Sequence, residues 1–226
     1  MERQKHKLFI AEGVKVVNEL LNSTFEIDTL FATEDYHAKH TSDKIIRISD
    51  KDLQKISNLK SPNKVVGLFK IPEEKLLQFN GLIVALDAVN DPGNLGTIIR
   101  LCDWFGVSQL VCSKDTVDCY NQKVVQASMG SLTRVSVNYL DLDAYLKDTK
   151  LPTFIADMNG KNVYKSELPK EAILIMGNEA NGVSDEIKKL IKNIISIPRF
   201  GETQETESLN VATATAILLS EFKRGF

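Results

Sequence analysis

Three polar segments of this 226-residue chain carry side chains able to do chemistry. Asn90 to Arg100 (NDPGNLGTIIR) sets Asn94 beside a proline and two glycines, with Arg100 six residues on. Met176 to Ser184 (MGNEANGVS) holds the carboxylate of Glu179 between Gly177 and Gly182, and glycines let backbone come close to a ligand. Ile194 to Phe222 (IISIPRFGETQETESLNVATATAILLSEF) runs from an apolar strand, stopped at Pro198, through a polar loop to Ser208, Leu209 and Asn210. Amides, a hydroxyl, a carboxylate and a guanidinium can hold a polar substrate and steer a proton. Ser208 reads as the N-cap of a helix over Leu209 to Phe222, with Asn210 just inside it, where free N–H groups suit an anionic group. Arg100 lies nearly two helical turns beyond Asn94 and is read as close to the same face.

Other chemistries lack their residues. The glycines near Asn94 are spaced GxxG rather than GxGxxG, and no GxxxxGK[ST] occurs, so the fingerprints of dinucleotide and P-loop sites are missing. All three histidines (His6, His37, His40) precede residue 41, so none is offered by the three segments as a base. His37 and His40 stand at HxxH spacing and read as surface or structural residues rather than metal ligands. Cys102, Cys112 and Cys119 are odd in number and show no CxxC spacing, which suggests reduced, partly buried thiols. No metal is expected.

The elements that must position these segments follow from Gly81 onward. Leu82 to Leu86 (LIVAL) is a continuous apolar run, as befits a strand buried on both faces. Strand candidates recur at Gln109 to Cys112, Val135 to Val137, Thr153 to Ala156, Ile173 to Met176 and Ile194 to Ile197. Helices fit between them, at Leu95 to Phe105, Gln122 to Met129, Leu142 to Leu146, Asp185 to Lys192 and Leu209 to Phe222. Such alternation predicts an α/β fold, a mostly parallel sheet with helices on both faces, whose ligands collect at the carboxyl ends of the strands. The first part reads as a smaller α/β unit: a helix over Lys7 to Leu21, short strands at Thr29 to Ala32, Ile45 to Ile48 and Val65 to Ile71, and a capped helix at Asp52 to Ser57. Pro72-Glu73-Glu74 and Asn80-Gly81 bracket a linker, giving domains at 1–76 and 77–226.

The composition, 43% apolar and 26% charged, is that of an ordinary globular chain able to bury two cores. No apolar run approaches the roughly 18 residues of a membrane span, so no membrane partner and a cytoplasmic location are expected. Net charge is −2, which gives no global basic footprint. If RNA is the partner, a local patch must meet its phosphates, and Arg3, Lys5, His6, Lys7, Lys60 and Lys64 form one candidate.

DAVNDPGNLGTIIRLCDWFG (Asp87 to Gly106), LIMGNEANGVS (Leu174 to Ser184) and SIPRFGETQETESLNVATATAILLSEF (Ser196 to Phe222) resemble, in order, the three motifs of the SpoU (TrmH-like) branch of the SPOUT RNA 2′-O-ribose methyltransferases. The intervening NQKVVQASMGSL resembles a further family segment, and residues 1–76 are similar to the L30e-like substrate domain often joined to it. The resemblance implies a carboxyl-terminal trefoil knot that binds S-adenosyl-L-methionine, a homodimer, and RNA as substrate, with rRNA the first expectation and tRNA the second. It implies cofactor contacts from Gly177, Ile197 and Leu209, with Met176 and Pro198 close by. It assigns the key role to Arg100, partnered by Asn94, Glu179, Ser208 and Asn210. A guanidinium stays protonated, so Arg100 is expected to hold the ribose hydroxyl and a phosphate while Glu179 and Asn94 fix the arginine. The loop Arg199 to Glu207 departs from the family's short form, being about three residues longer and carrying Arg199 where Met is frequent. Two other classes compete: a non-catalytic RNA-binding protein on the same two domains, and a small-molecule-binding α/β protein.

Overall fold

A computed structural model describes residues 2–37, 43–73, 76–201 and 208–225. Two sheets organise them. The first joins β1 (Leu8–Glu12), β4 (Val65–Lys70), β2 (Ile27–Ala32) and β3 (Ile45–Arg47) in that spatial order. Its β1/β4 and β4/β2 pairs are antiparallel and its β2/β3 pair is parallel. Around it lie α1 (Glu2–His6), α2 (Val14–Leu21), α3 (Glu34–His37) and α4 (Asp50–Ile56). Ser49 caps α4 by accepting from the Asp52 N–H, so the helix starts at Asp50 rather than Asp52.

The helix expected over Lys7 to Leu21 is instead a strand followed by a helix, β1 and α2. Gly13, at φ 81°, breaks the two apart in a conformation open to glycine. Leu8, Ile10 and Glu12 then pair across to β4, while Val16, Val17 and Leu20 pack beneath the sheet. The apolar spacing fitted both periods, and the glycine decided between them.

The second sheet contains β5 (Leu82–Leu86), β6 (Gln109–Ser113), β7 (Ser136–Leu140), β8 (Thr153–Asn162), β9 (Ala172–Met176) and β10 (Asn193–Ser196). Their order is β10-β8-β9-β5-β6-β7, and every pairing is parallel. The connecting helices are α5 (Pro92–Trp104), α6 (Gln122–Ser128), α7 (Leu142–Asp148) and α8 (Asp185–Leu190), and α9 (Val211–Lys223) follows the last strand. Alternate residues of β5 face opposite layers: Leu82, Val84 and Leu86 join a core with α5, α6 and α9, while Ile83 and Ala85 join one with α7 and α8. Helices therefore cover both faces, which explains the unbroken apolar runs of β5 and β9.

Several boundaries move. Helix α5 begins at Pro92 rather than Leu95, because Asp91 caps it and proline suits the first helical position. Strand β7 lies later than Val135 to Val137, and β10 one residue earlier than Ile194 to Ile197. Strand β8 runs on past Ala156 to Asn162. In its ladder with β10, Ile194 faces Ile155 but Ile195 faces Lys161, so residues 156–160 bow out of register. Gly160 permits this, since a Cβ there would lie 2.6 Å from the Ile195 backbone. The three cysteines are fully buried rather than partly so. Burial pushes the Cys102 and Cys119 thiols up to about 12, and drives Cys112 well above its ordinary value too.

Candidate active site

The carboxyl ends of β9, β10 and β8 open into a cleft of about 670 Å³. Met176 and Gly177 end β9, Ile197 and Pro198 follow β10, and Ser208 and Leu209 lead into α9. The bowed residues Asp157, Met158 and Asn159 of β8 supply the opposite wall, with Ala214 and Leu218 of α9 behind. All five expected cofactor contacts line this one cleft, as do Glu179 and Ser208.

The loop after β9 is held by its own backbone. Asn178 and Gly182 exchange two N–H···O bonds of 2.9 Å, and Gly182 takes φ 69° to close the turn. A Cβ on Gly177 would lie 2.1 Å from the Gly182 carbonyl carbon and 2.2 Å from the Val183 nitrogen. Gly177 is thus required by the turn itself. The Asn178 Nδ2 donates to the Ala88 carbonyl at 2.7 Å, and the Ser184 N–H donates to the buried Asp87 carboxylate at 2.7 Å. These bonds seat the second segment on the turn that leads from β5 into the first.

A directed chain of amides links all three segments. Asn210 is the N-cap of α9, accepting at Oδ1 from the N–H groups of Ala212 (3.0 Å) and Thr213 (3.2 Å). Its Nδ2 donates to the Oδ1 of Asn94 at 2.9 Å, and the Asn94 Nδ2 donates to Glu179 Oε1 at 2.9 Å. Asn94 does not cap its helix; Asp91 does, accepting from the Asn94 N–H at 2.7 Å. The expected cap, Ser208, stands two residues before the real one, exposed at the cleft, and α9 starts at Val211 rather than Leu209.

Arg100 stands apart from that chain. It is exposed and makes no hydrogen bond or ion pair to any of the described residues. The shared face read for Asn94 and Arg100 fails on the helical wheel, since about 600° is about 120° short of two turns. Arg100 instead falls on the exposed stripe of α5 with Gly93, Thr97 and Trp104, while Asn94 turns to Glu179 and Asn210. Neither Asn94 nor Glu179 hydrogen-bonds to the arginine they were expected to fix.

The basic patch also changes. Arg3 turns inward, bonding the Tyr120 carbonyl at 3.0 Å and the Asp118 carboxylate at 2.8 Å, and Lys64 pairs with Asp35 at 3.3 Å. Lys5, Lys7 and Lys60 remain on the surface. His40 and the Glu202, Glu205 and Glu207 side chains of the long loop lie outside the described residues.

Residues 81–220 match the family model of the SpoU rRNA methylases. The chain belongs to the SpoU rRNA methylase family. Residues 1–67 match the model of the MRM3-like substrate binding domain. Along its length the chain is 29% identical to the 23S rRNA (guanosine(2553)-2′-O)-methyltransferase RlmP of Bacillus subtilis, covering 96% of this chain and 89% of that one. Among solved structures, it resembles an RNA methyltransferase of the TrmH family from Porphyromonas gingivalis, with 35% identity, a TM-score of 0.89, and coverage of 99% and 92%. It also resembles an AdoMet-bound rRNA methyltransferase from Sinorhizobium meliloti, with 29% identity, a TM-score of 0.86, and coverage of 99% and 89%.

For a SpoU chain, the wall from β8 is the part that sequence reasoning missed. Asp157 pairs with Lys188 at 3.2 Å and accepts from the Asn159 N–H at 3.0 Å. Burial alone would raise its carboxyl, but that N–H and the ammonium together hold it below the ordinary value. Gly160 was the available signal, because a glycine within a strand pattern marks a bulge or a close backbone approach.

Proposed function

We propose that this chain methylates a ribose 2′-hydroxyl of structured RNA, using S-adenosyl-L-methionine, with rRNA as the first candidate substrate and tRNA as the second. The observation that carries the reading is the Asn210–Asn94–Glu179 chain at the rim of a cleft lined by the five expected cofactor contacts. The cleft suits an amphipathic nucleoside: its volume falls in the usual ligand range of roughly 300–1,000 Å³. Ile197, Leu209 and Leu218 offer apolar walls, and the strand ends at Met176–Gly177 and Ile197–Pro198 bring backbone polar groups.

In this reading Met176, Gly177, Ile197, Pro198 and Leu209 hold the cofactor, and bound S-adenosyl-L-methionine supplies an electrophilic methyl group. The protein's own tasks are alignment and help with a weakly acidic proton. The amide chain fixes Glu179 by one oxygen, leaving the other to accept from a polar substrate group. Arg100, with an uncommitted planar fork of donors, holds the ribose hydroxyl and an adjacent phosphate and lowers the hydroxyl's pKa. Ser208, exposed at the cleft, adds a hydroxyl beside the reacting ribose.

The proposal includes the trefoil knot, a homodimer and a cytoplasmic location. Trp104, 84% exposed on α5, supports the dimer as an apolar ring that a second copy would cover. The division of labour, residues 1–76 gripping RNA and 77–226 transferring the methyl group, is supported by the two separate sheets. The decisive experiment is labelled-methyl transfer to total RNA from a strain lacking the gene, followed by mapping of the alkali-resistant position. RNA binding without any transfer would leave a docking module instead.

A further inference from the structure

Interdomain contacts within one chain are usually modest, and relative motion is the ordinary expectation. Here one short helix, α6, is packed on α5 of the second part and joined to the first part near both of its ends. At its start, Gln122 donates from Nε2 to Glu12, a carboxylate only 2% exposed at the end of β1. The same carboxylate accepts from the Ser57 hydroxyl and from the Asn58 N–H at 3.2 Å, while Asn58 Nδ2 donates back to Gln122 Oε1 at 2.6 Å. Among the described residues no cation pairs with Glu12, so its burial is tolerated through these donors alone.

The middle of α6 is pressed on α5, where a Cβ on Gly96 would lie 2.4 Å from Ala127 Cβ and 2.8 Å from the Val124 carbonyl oxygen. The turn beyond α6 takes Met129 to φ 52° and Gly130 to φ 94°, and a Cβ on Gly130 would meet Glu19 of α2 at 2.7 Å. Arg134 then reaches both ways. Its Nε donates to the two carboxylate oxygens of Asp103 in α5 at 3.0 and 2.9 Å, and its NH1 to Glu19 Oε2 at 2.8 Å. Just before α6 an apolar seam runs through Tyr120, whose ring centre is 4.9 Å from that of Phe9 and 6.5 Å from that of Phe25.

A single contact would allow a hinge; attachment near both ends of α6, with a packed seam ahead of it, opposes one. Helix α5 also carries Asn94 and Arg100, so the bracket ties the first sheet to the proposed reaction centre through one rigid path. Only Glu12 of this bracket is deeply buried, while Arg134 is half exposed, so its polar bonds add little net stability and their contribution here is to geometry. We propose that Gln122 and Arg134 are positioning residues: they hold the first sheet at a preset distance from the cleft, so the target ribose is selected by its separation from the RNA element gripped there. This rests on the methyltransferase reading.

Two experiments on the full chain test it. In the double variant Gln122→Ala with Arg134→Ala, S-adenosyl-L-methionine affinity should stay within about twofold, while kcat/KM on structured RNA falls about tenfold or more and methylation spreads to neighbouring riboses. Cofactor binding and rate that fall together without any movement of the methylated position would mark a purely structural role and overturn the proposal. In the second, Arg3→Cys with Asp118→Cys, a pair 2.8 Å apart that joins the same two parts outside the bracket, is linked by a short reducible bis-maleimide, which should find only the introduced pair because Cys102, Cys112 and Cys119 are buried. The crosslinked protein should methylate the same nucleotide at no less than about half the wild-type rate. A crosslinked protein that loses activity and regains it on reduction would show that the domains must swing, and would overturn the proposal. So would a double variant with unchanged rate and unmoved target. Wild-type protein that transfers no methyl group to the same RNA overturns the methyltransferase reading, and this one with it.

Discussion

Asn210 donates from Nδ2 to the Oδ1 of Asn94 at 2.9 Å, across 116 positions of sequence. Because the Oδ1 of Asn210 is committed to capping α9, its amide can face Asn94 only as a donor. Asn94 must then offer its oxygen and turn its own Nδ2 to Glu179. The orientation of a helix terminus is thereby passed through two amides to a carboxylate.

Asn210→Asp and Asn210→Ala should separate the cap from the relay. Aspartate keeps the acceptor for Ala212 and Thr213 but loses the donor and sets a second carboxylate against Asn94. Stability should stay near wild type while methyl transfer falls about tenfold or more. Alanine should lose the transfer and about 1 kcal/mol of stability besides. Urea unfolding and labelled-methyl transfer on the two variants decide it; an Asp variant of full activity would remove the relay from the mechanism.

Gly177→Ala should be severe although only one methyl group is added. The new Cβ meets the Gly182 and Val183 backbone at 2.1 and 2.2 Å, and backbone pinned by the Asn178–Gly182 bonds cannot swing aside. A loss of about 3 kcal/mol is expected. Calorimetric titration with S-adenosyl-L-methionine should show binding abolished or weakened at least about tenfold at temperatures where the variant is still folded.

How much of this was legible in the sequence depends on the range of the interaction. The parallel sheet was readable because LIVAL and AILIM, buried on both faces, are apolar throughout. The sites at strand ends followed from Pro, Gly and Asn clusters that end a strand, although Pro92, Gly93 and Asn94 themselves open α5. The relay was not readable, since nothing local to Asn94 says that residues 179 and 210 will complete its hydrogen bonds. Even the cap was misassigned, because Ser208 and Asn210 are both good caps and only the path of the preceding chain selects the later one. At the other end, the apolar run at Leu8 to Glu12 suited strand as well as helix, and Gly13, the signal that separates it from α2, was missed.

The buried thiols set an alkaline limit. An unfolded cysteine ionises near 9.0, while folded Cys102 and Cys119 hold their protons until about 12. Between those values the unfolded chain binds fewer protons than the folded one, so stability falls as pH rises, by up to about 1.4 kcal/mol per pH unit per thiol. Thermal midpoints should therefore drop steadily above pH 9, and replacing Cys119 by Ser should flatten that slope. Ellman's reagent at pH 8 should label none of the three thiols of native protein and all three in denaturant, because under about one in a thousand of the buried thiols is ionised there. Rapid labelling of the native protein would contradict the burial.

Arg100 offers the sharpest division between fold and function. It is exposed and bonds none of the described residues, so Arg100→Ala should change stability by no more than about 0.5 kcal/mol. Cofactor affinity should hold too, because Arg100 lies outside the lining of the cleft. If its role is to hold the ribose hydroxyl and a phosphate, methyl transfer should fall by about a hundredfold. Arg100→Lys should fail nearly as badly, since a point charge cannot reproduce the planar fork that would span both groups. Higher salt should weaken RNA binding of wild type more than of Arg100→Ala, because the variant makes one phosphate contact fewer. A folded, cofactor-binding Arg100→Ala protein that methylates at the wild-type rate would move the proton-handling role to Glu179, whose second oxygen is the remaining acceptor on the relay.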